Sequence, residues 1–115
     1  MAFTRKLIQL NILASGGNVN SPSYLIPNGS TYITAQFNYS NLSVDASLTL
    51  QQSTDGKNFD PVLDITGEAV KIILDKDNAS STINLVNLLT LWIRFQVDFG
   101  GSSIGVINTV QYLTD

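Results

Sequence analysis

The residues of this chain with the most chemical potential are its nine carboxylates, eight aspartates and the single glutamate Glu68, in a sequence with no histidine and no cysteine. General acid–base catalysis near neutral pH works best with a group that titrates close to neutrality, and histidine is the side chain that does so unaided. Serine and threonine are plentiful, yet no imidazole or thiolate is available to activate a hydroxyl nucleophile. The absence of cysteine also excludes disulfides and thiolate–metal sites. Carboxylate chemistry remains, and the places to look for it are Asp55 and the run from Asp75 to Asp77.

Asp55 lies in the string Ser53-Thr54-Asp55-Gly56-Lys57-Asn58-Phe59. This is near the sialidase Asp-box, Ser-x-Asp-x-Gly-x-x-Trp, but here glycine follows aspartate directly and Phe59 stands where that motif has tryptophan. Asp-Gly after an alternating segment is a tight-turn signal. Glycine takes a positive φ without a Cβ clash, and the aspartate side chain hydrogen-bonds the backbone just ahead of it. Ser53, Asp55, Gly56 and Phe59 are therefore expected to build a structural turn. Asp75-Lys76-Asp77-Asn78 opens like a calcium loop, yet the glycine at the sixth position and the distal bidentate glutamate are missing, which leaves a solvated turn. The Asn-x-Ser sequons at Asn28, Asn38, Asn41 and Asn78 are what chance gives in a chain so rich in asparagine and serine. No catalytic residue, no metal and no cofactor are expected.

A hydrophobic period of two sets the elements that hold these turns. Ile8, Leu10 and Ile12 alternate with Gln9 and Asn11, a pattern that favours a strand over a signal peptide despite Arg5 and Lys6 just ahead. The mature chain is expected to start at Met1. Tyr24 to Ile26 is a short extended piece between prolines. Ile33, Ala35, Phe37 and Tyr39 alternate with polar residues, as do Ala46, Leu48 and Leu50 leading into the Asp55-Gly56 turn. Val62 to Ile65, Val70 to Leu74 and Thr82 to Val86 read as further strands, while Asn87 to Thr90 has no clear period and suits a short helical turn. Leu91, Ile93, Phe95, Val97 and Phe99 form the most regular apolar face, which marks a central strand, and the last strand runs from Ile104 to Leu113. About eight short strands with turns every eight to twelve residues predict an all-β, antiparallel, jelly-roll-like sandwich spanning residues 1–115 as one domain.

Composition narrows the partners. With 43% hydrophobic and only 13% charged residues, the chain is not disordered, and its surface must be mainly Ser, Thr, Asn and Gln, which suits contact with other proteins. A net charge of -3, with no basic run beyond Arg5-Lys6, removes the electrostatic footprint of nucleic-acid binding. No stretch approaches the ~18 apolar residues of a membrane span.

Trp92 is the sole tryptophan, and alternation puts it with Arg94 and Gln96 on the side of its strand away from Ile93 and Phe95. Two readings stand side by side. Either a loop such as Gly16 to Ile26 covers the ring, or the three residues form a protein interface, tryptophan and arginine being enriched at binding hot spots.

Ser53, Asp55, Gly56 and Phe59, followed by Leu91, Trp92, Ile93, Arg94 and Val97 and then by Gly100 and Gly101, resemble a pattern in small β-sandwich structural proteins of tailed-bacteriophage virions. There a Ser-x-Asp-Gly-x-x-Trp/Phe turn precedes a Leu-Trp/Tyr-Ile-Arg-x-x-Val strand and a glycine-rich turn. The resemblance covers roughly the last seventy of the 115 residues, and its motifs are structural. It implies a non-enzymatic virion protein, made in the host bacterial cytoplasm, whose partners are the major capsid protein or neighbouring copies of itself. A chain this small then fits an auxiliary capsid, or decoration, protein whose many copies make weak contacts add up. Carbohydrate-binding modules and discoidin-like domains share this style of sandwich. The alternative is thus a carbohydrate- or receptor-binding module of a tail or head fibre, with Trp92 or Tyr24, Tyr32 and Tyr39 stacked on a pyranose ring. Exposed coplanar aromatics would favour sugar, and a dispersed polar surface would favour protein.

Overall fold

Alternation along the chain becomes ten strands in a computed structural model that describes residues 4–14, 17–26, 32–87, 92–101 and 104–114. They are β1 (Thr4–Leu13), β2 (Asn18–Asn20), β3 (Tyr24–Leu25), β4 (Tyr32–Ser40), β5 (Ala46–Ser53), β6 (Asp60–Pro61), β7 (Lys71–Leu74), β8 (Ser80–Asn87), β9 (Trp92–Asp98) and β10 (Val106–Thr114). There is no helix among the described residues. The short strands β2 and β3 both pair with β9, and β6 and β7 both pair with β5, so ten segments fill eight strand positions. One sheet runs β1-β10-β4-β8 and the other β2/β3-β9-β5-β6/β7, all antiparallel. That order is a jelly roll, as the sequence predicts.

The inner faces follow from the period of two. Ile93, Phe95, Val97 and Phe99 are fully buried on β9 and its exit, facing Ile33, Ala35, Phe37 and Tyr39 from β4 of the other sheet. Phe37 meets Phe95 edge to face, with ring centroids 4.9 Å apart and planes at 81°. The buried Tyr39 hydroxyl donates to the Asp75 carbonyl at 3.0 Å and lies 3.0 Å from the Ser81 hydroxyl, so its polar tip is satisfied at the crossing from β7 to β8. In β1 the register with β10 slips between Gln9 and Ile12, a bulge at which Asn11 takes a φ of 51°.

Boundaries differ from the sequence expectation where apolar pattern and main-chain pairing part company. β8 starts at Ser80, because Ser80 and Ser81 pair with Asn38 and Phe37 although neither serine is apolar. The strand expected from Val62 to Ile65 shrinks to β6 at Asp60–Pro61, with Leu63 held only by an isolated bridge to Ala69. Asn87 ends β8, and residues 88–90, where a helical turn was expected, lie outside the described residues.

Replacing a core phenylalanine by alanine costs about 3–5 kcal/mol. Phe37→Ala and Phe95→Ala are each expected to lower unfolding free energy by that amount in urea titrations, and the double variant by less than the sum because the rings touch. Additive losses would mean the edge-to-face pair carries no coupling.

Candidate functional site

Ser53 ends β5 with its side chain buried, and from there the chain turns on two reciprocal caps. The Ser53 hydroxyl accepts from the backbone N–H groups of Asp55 (3.2 Å) and Gly56 (3.0 Å) and donates to Asp55 Oδ1 at 2.7 Å. The Asp55 carboxylate in turn accepts from the N–H groups of Lys57 (2.8 Å) and Asn58 (2.9 Å) and from Asn58 Nδ2 (2.9 Å). Those donors, led by the Asn58 and Lys57 N–H groups and then the Ser53 hydroxyl, hold its carboxyl far below the usual carboxylate value of 3.8. Gly56 has a φ of 76°, the left-handed region that glycine enters freely.

This turn folds over the outer side of β9. A Cβ on Gly56 would lie 3.2 Å from Trp92 Cε2 and 3.3 Å from Nε1, so the indole rests on the bare glycine backbone. Phe59, at the exit of the turn, stacks against the Arg94 guanidinium with its ring centroid 4.3 Å away, and Arg94 Nε donates to Gln51 Oε1 at 2.6 Å. The two sets of residues singled out in the sequence thus form one cluster. Ser53, Asp55, Gly56 and Phe59 are its frame; Trp92 and Arg94 are what the frame holds.

Residues directly opposite in antiparallel strands share a face, and this orders the rest of the outer surface into rungs. Trp92 lies between Leu25 and Ser53, and Arg94 lies opposite Gln51. Gln96 is one rung further, between Asn20 and Thr49, and Asp98 follows between Asn18 and Ser47. The strand positions around Arg94 are therefore mostly amide and hydroxyl, bounded by Trp92 with the exposed Leu25 at one end and by Asp98 at the other, and the one ion pair among the described residues, Lys76 with Asp77 at 3.1 Å, is elsewhere. Among the described residues, no group of three or more His, Cys, Asp or Glu is placed to hold a metal ion. Trp92 is half-buried: the Asp55-Gly56 turn lies on its indole, and Leu25, within the segment from Gly16 to Ile26 considered from sequence, lies opposite it on β3.

The tyrosines disperse. Tyr39 is buried, and Tyr24 points inward against Phe95 at a centroid distance of 6.0 Å, its phenol pushed up by burial and then by the neighbouring Tyr112. Tyr32 is exposed on β4, in the sheet opposite to Trp92. Sequence reasoning missed Asn58 and Gln51, which complete the cluster, and Ser21. The Ser21 hydroxyl accepts from the Phe95 N–H at 2.8 Å where the edge passes from β2 to β3. The one signal available for Asn58 was its place three residues after Asp55, within reach of a side-chain cap.

No protein-family model matches the chain. No curated protein sequence matches it. Solved structures do resemble it. The PBSX exported protein XepA superposes with a TM-score of 0.64 at 9% identity, over 96% of this chain and 36% of that one. The SPBc2 prophage-derived protein YomS gives 0.50 at 8% identity, over 99% of this chain and 95% of that one. The CBM36-1 domain of a multidomain xylanase from the hindgut metagenome of Trinervitermes trinervoides gives 0.56 at 15% identity, over 95% and 96%. At such identities the likeness is one of fold, shared alike by an exported protein, a prophage-derived protein and a xylanase domain.

Two outcomes follow from the turn. Gly56→Val places a Cβ at positive φ and against the indole, and is expected to destabilise the fold by about 1 kcal/mol or more in thermal or urea unfolding. The second concerns Asp55. Its folded pKa is depressed, so its contribution is fully present above the unfolded carboxylate value of 3.8 and is lost as pH falls toward the folded value. Asp55→Ala should therefore lower the melting temperature more at neutral pH than at about pH 2, and an equal loss at both would show that the ionised carboxylate adds nothing.

Proposed function

We propose that this chain is a non-enzymatic structural protein of a phage virion, an auxiliary capsid protein bound in many copies to the head through the outer face that carries Trp92, Arg94 and Gln96. The observation that supports this most is the pre-set Arg94. Its guanidinium is stacked on Phe59 and tethered by Gln51, among strand positions that are mostly amide and hydroxyl. A side chain already fixed loses less entropy when it meets a partner, and tryptophan beside arginine is the composition of interface hot spots. Asp55 supports the non-catalytic reading, because its carboxylate is ionised and committed to four donors at the turn. The exported protein XepA and the prophage-derived YomS lend support at the level of fold, and the reading carries with it synthesis in the host bacterial cytoplasm.

The carbohydrate- or receptor-binding alternative draws on the xylanase CBM36-1 domain, again through fold alone. Of the aromatics considered for stacking, Tyr24 and Tyr39 face the core, while Tyr32 and Trp92 belong to different sheets. No flat pair of exposed rings is left among them. A dispersed polar surface is what a protein partner would use.

The test is reconstitution. Purified protein is added to particles that lack it, and occupancy is read from gels and electron micrographs. Arg94→Ala and Trp92→Ala should each weaken binding by roughly 2 kcal/mol or more, with melting temperature measured alongside to separate folding from contact. Absence of the protein from purified particles, or full occupancy by folded variants, would reject the reading. Saturable binding to a glycan array would move it to the alternative.

A further inference from the structure

Between β6 and β7 the chain leaves the sheet as a small braced arm. Val70 N–H donates to the Val62 carbonyl at 2.8 Å, Asp64 N–H to the Glu68 carbonyl at 2.7 Å, and Gly67 N–H to the Asp64 carbonyl at 3.0 Å. The Asp64 carboxylate accepts from the Thr66 hydroxyl (2.6 Å) and from the N–H groups of Thr66 (2.9 Å) and Glu68 (3.1 Å). Every residue from 63 to 69 is exposed, Leu63 at 58% and Ile65 at 103%. The bridge between Leu63 and Ala69 sets those two on one face, with Ile65 at the turn beyond them and the Asp64 and Glu68 pair on the other. An ordered arm thus offers apolar side chains that contribute nothing to the core.

The arm is also acidic. Asp60, Asp64 and Glu68 lie between Asn58 and Val70 with no lysine or arginine among them, and the other six acidic residues balance the chain's six basic ones. β7 packs against β8, and at the opposite end of that sheet from β8 lies the complementary feature. Among the described residues β1 pairs only with β10, which leaves its other edge without a strand partner along ten residues that include Arg5-Lys6, the only adjacent basic pair in the sequence, and Leu7, 62% exposed. Of the other edges, β2 and β3 are interrupted at Ser21-Pro22, β6 carries Pro61, β7 is four residues long, and β8, the second edge of the sheet that holds β1, bears no lysine or arginine.

We propose that the 62–70 arm of one molecule docks on the β1 edge of a second copy, setting Leu63 and Ile65 against the Leu7 region and Asp64 and Glu68 beside the segment that bears Arg5 and Lys6. Because β7 packs against β8 while β1 is the other end of the β8 sheet, the two surfaces lie at opposite edges of the sandwich, and the contact is head-to-tail and propagates into rings or filaments. This goes beyond the capsid reading and stands without it, because it concerns the chain alone.

Sedimentation velocity of the purified protein over a concentration series, at low and high salt, tests it. Concentration-dependent association that weakens with salt is expected. Leu63→Ser with Ile65→Ser should weaken it about tenfold or more while leaving the melting temperature unchanged, since neither side chain enters the core. Glu68→Lys should disable the arm, and Arg5→Glu with Lys6→Glu should disable the edge. A mixture of these two variants should associate where each alone does not, through the reversed charges. A protein that stays monomeric at every concentration, or association indifferent to the Leu63/Ile65 variant, overturns the proposal and leaves the arm to a different protein.

Discussion

The meeting of Phe37 and Phe95 across the two sheets is the constraint from which the rest of the molecule follows. Each phenylalanine sits mid-strand in a run where every second side chain is buried, so fixing one ring fixes the facing of the whole strand. A slip of one residue in β9 would turn Arg94 and Gln96 into the core and Phe95 into water. The outward position of Trp92, Arg94 and Gln96 thus needs no cause of its own. It is the other side of the burial of Ile93, Phe95 and Val97.

That outer side is then organised by a turn belonging to a different strand. Because β5 is the neighbour of β9, the residues leaving β5 arrive directly above Trp92 and Arg94. The reciprocal bonds of Ser53 and Asp55 fix the path of the backbone, the missing side chain of Gly56 makes room for the indole, and Phe59 closes over the guanidinium. Three local effects, a cap, a positive φ and a cation–π contact, thereby limit the rotamer freedom of two long side chains.

Much of this was legible in the sequence, though unevenly. The alternation of Leu91 to Phe99 and of Ile33 to Tyr39 announces strands with one buried face, and Asp55-Gly56 announces a turn, because both signals are local. What alternation does not carry is partnership. Nothing in the residues around Trp92 says that β5 lies beside it, so the part that the Asp55-Gly56 turn plays in covering the ring is not legible there. Val62 to Ile65 misleads in the opposite sense. Its apolar character reads as a buried strand, whereas the pairing between β5 and β6 ends at Pro61 and leaves Leu63 and Ile65 in solvent. Hydrophobicity reports a preference for burial; only the sheet decides who receives it.

The double cap at Asp55-Gly56 also bears on how the chain ages. Asp-Gly is a sequence at which proteins commonly degrade, the glycine nitrogen attacking the aspartyl side-chain carbonyl to close a succinimide that reopens as isoaspartate. Attack requires a free amide nitrogen and a protonated, mobile carboxyl group. Here the Gly56 N–H is engaged by the Ser53 hydroxyl, and the Asp55 carboxylate is ionised and pinned by Lys57 and Asn58. The arrangement that shapes the turn therefore shields its weakest covalent point, which keeps the backbone intact in any protein that must persist without being replaced.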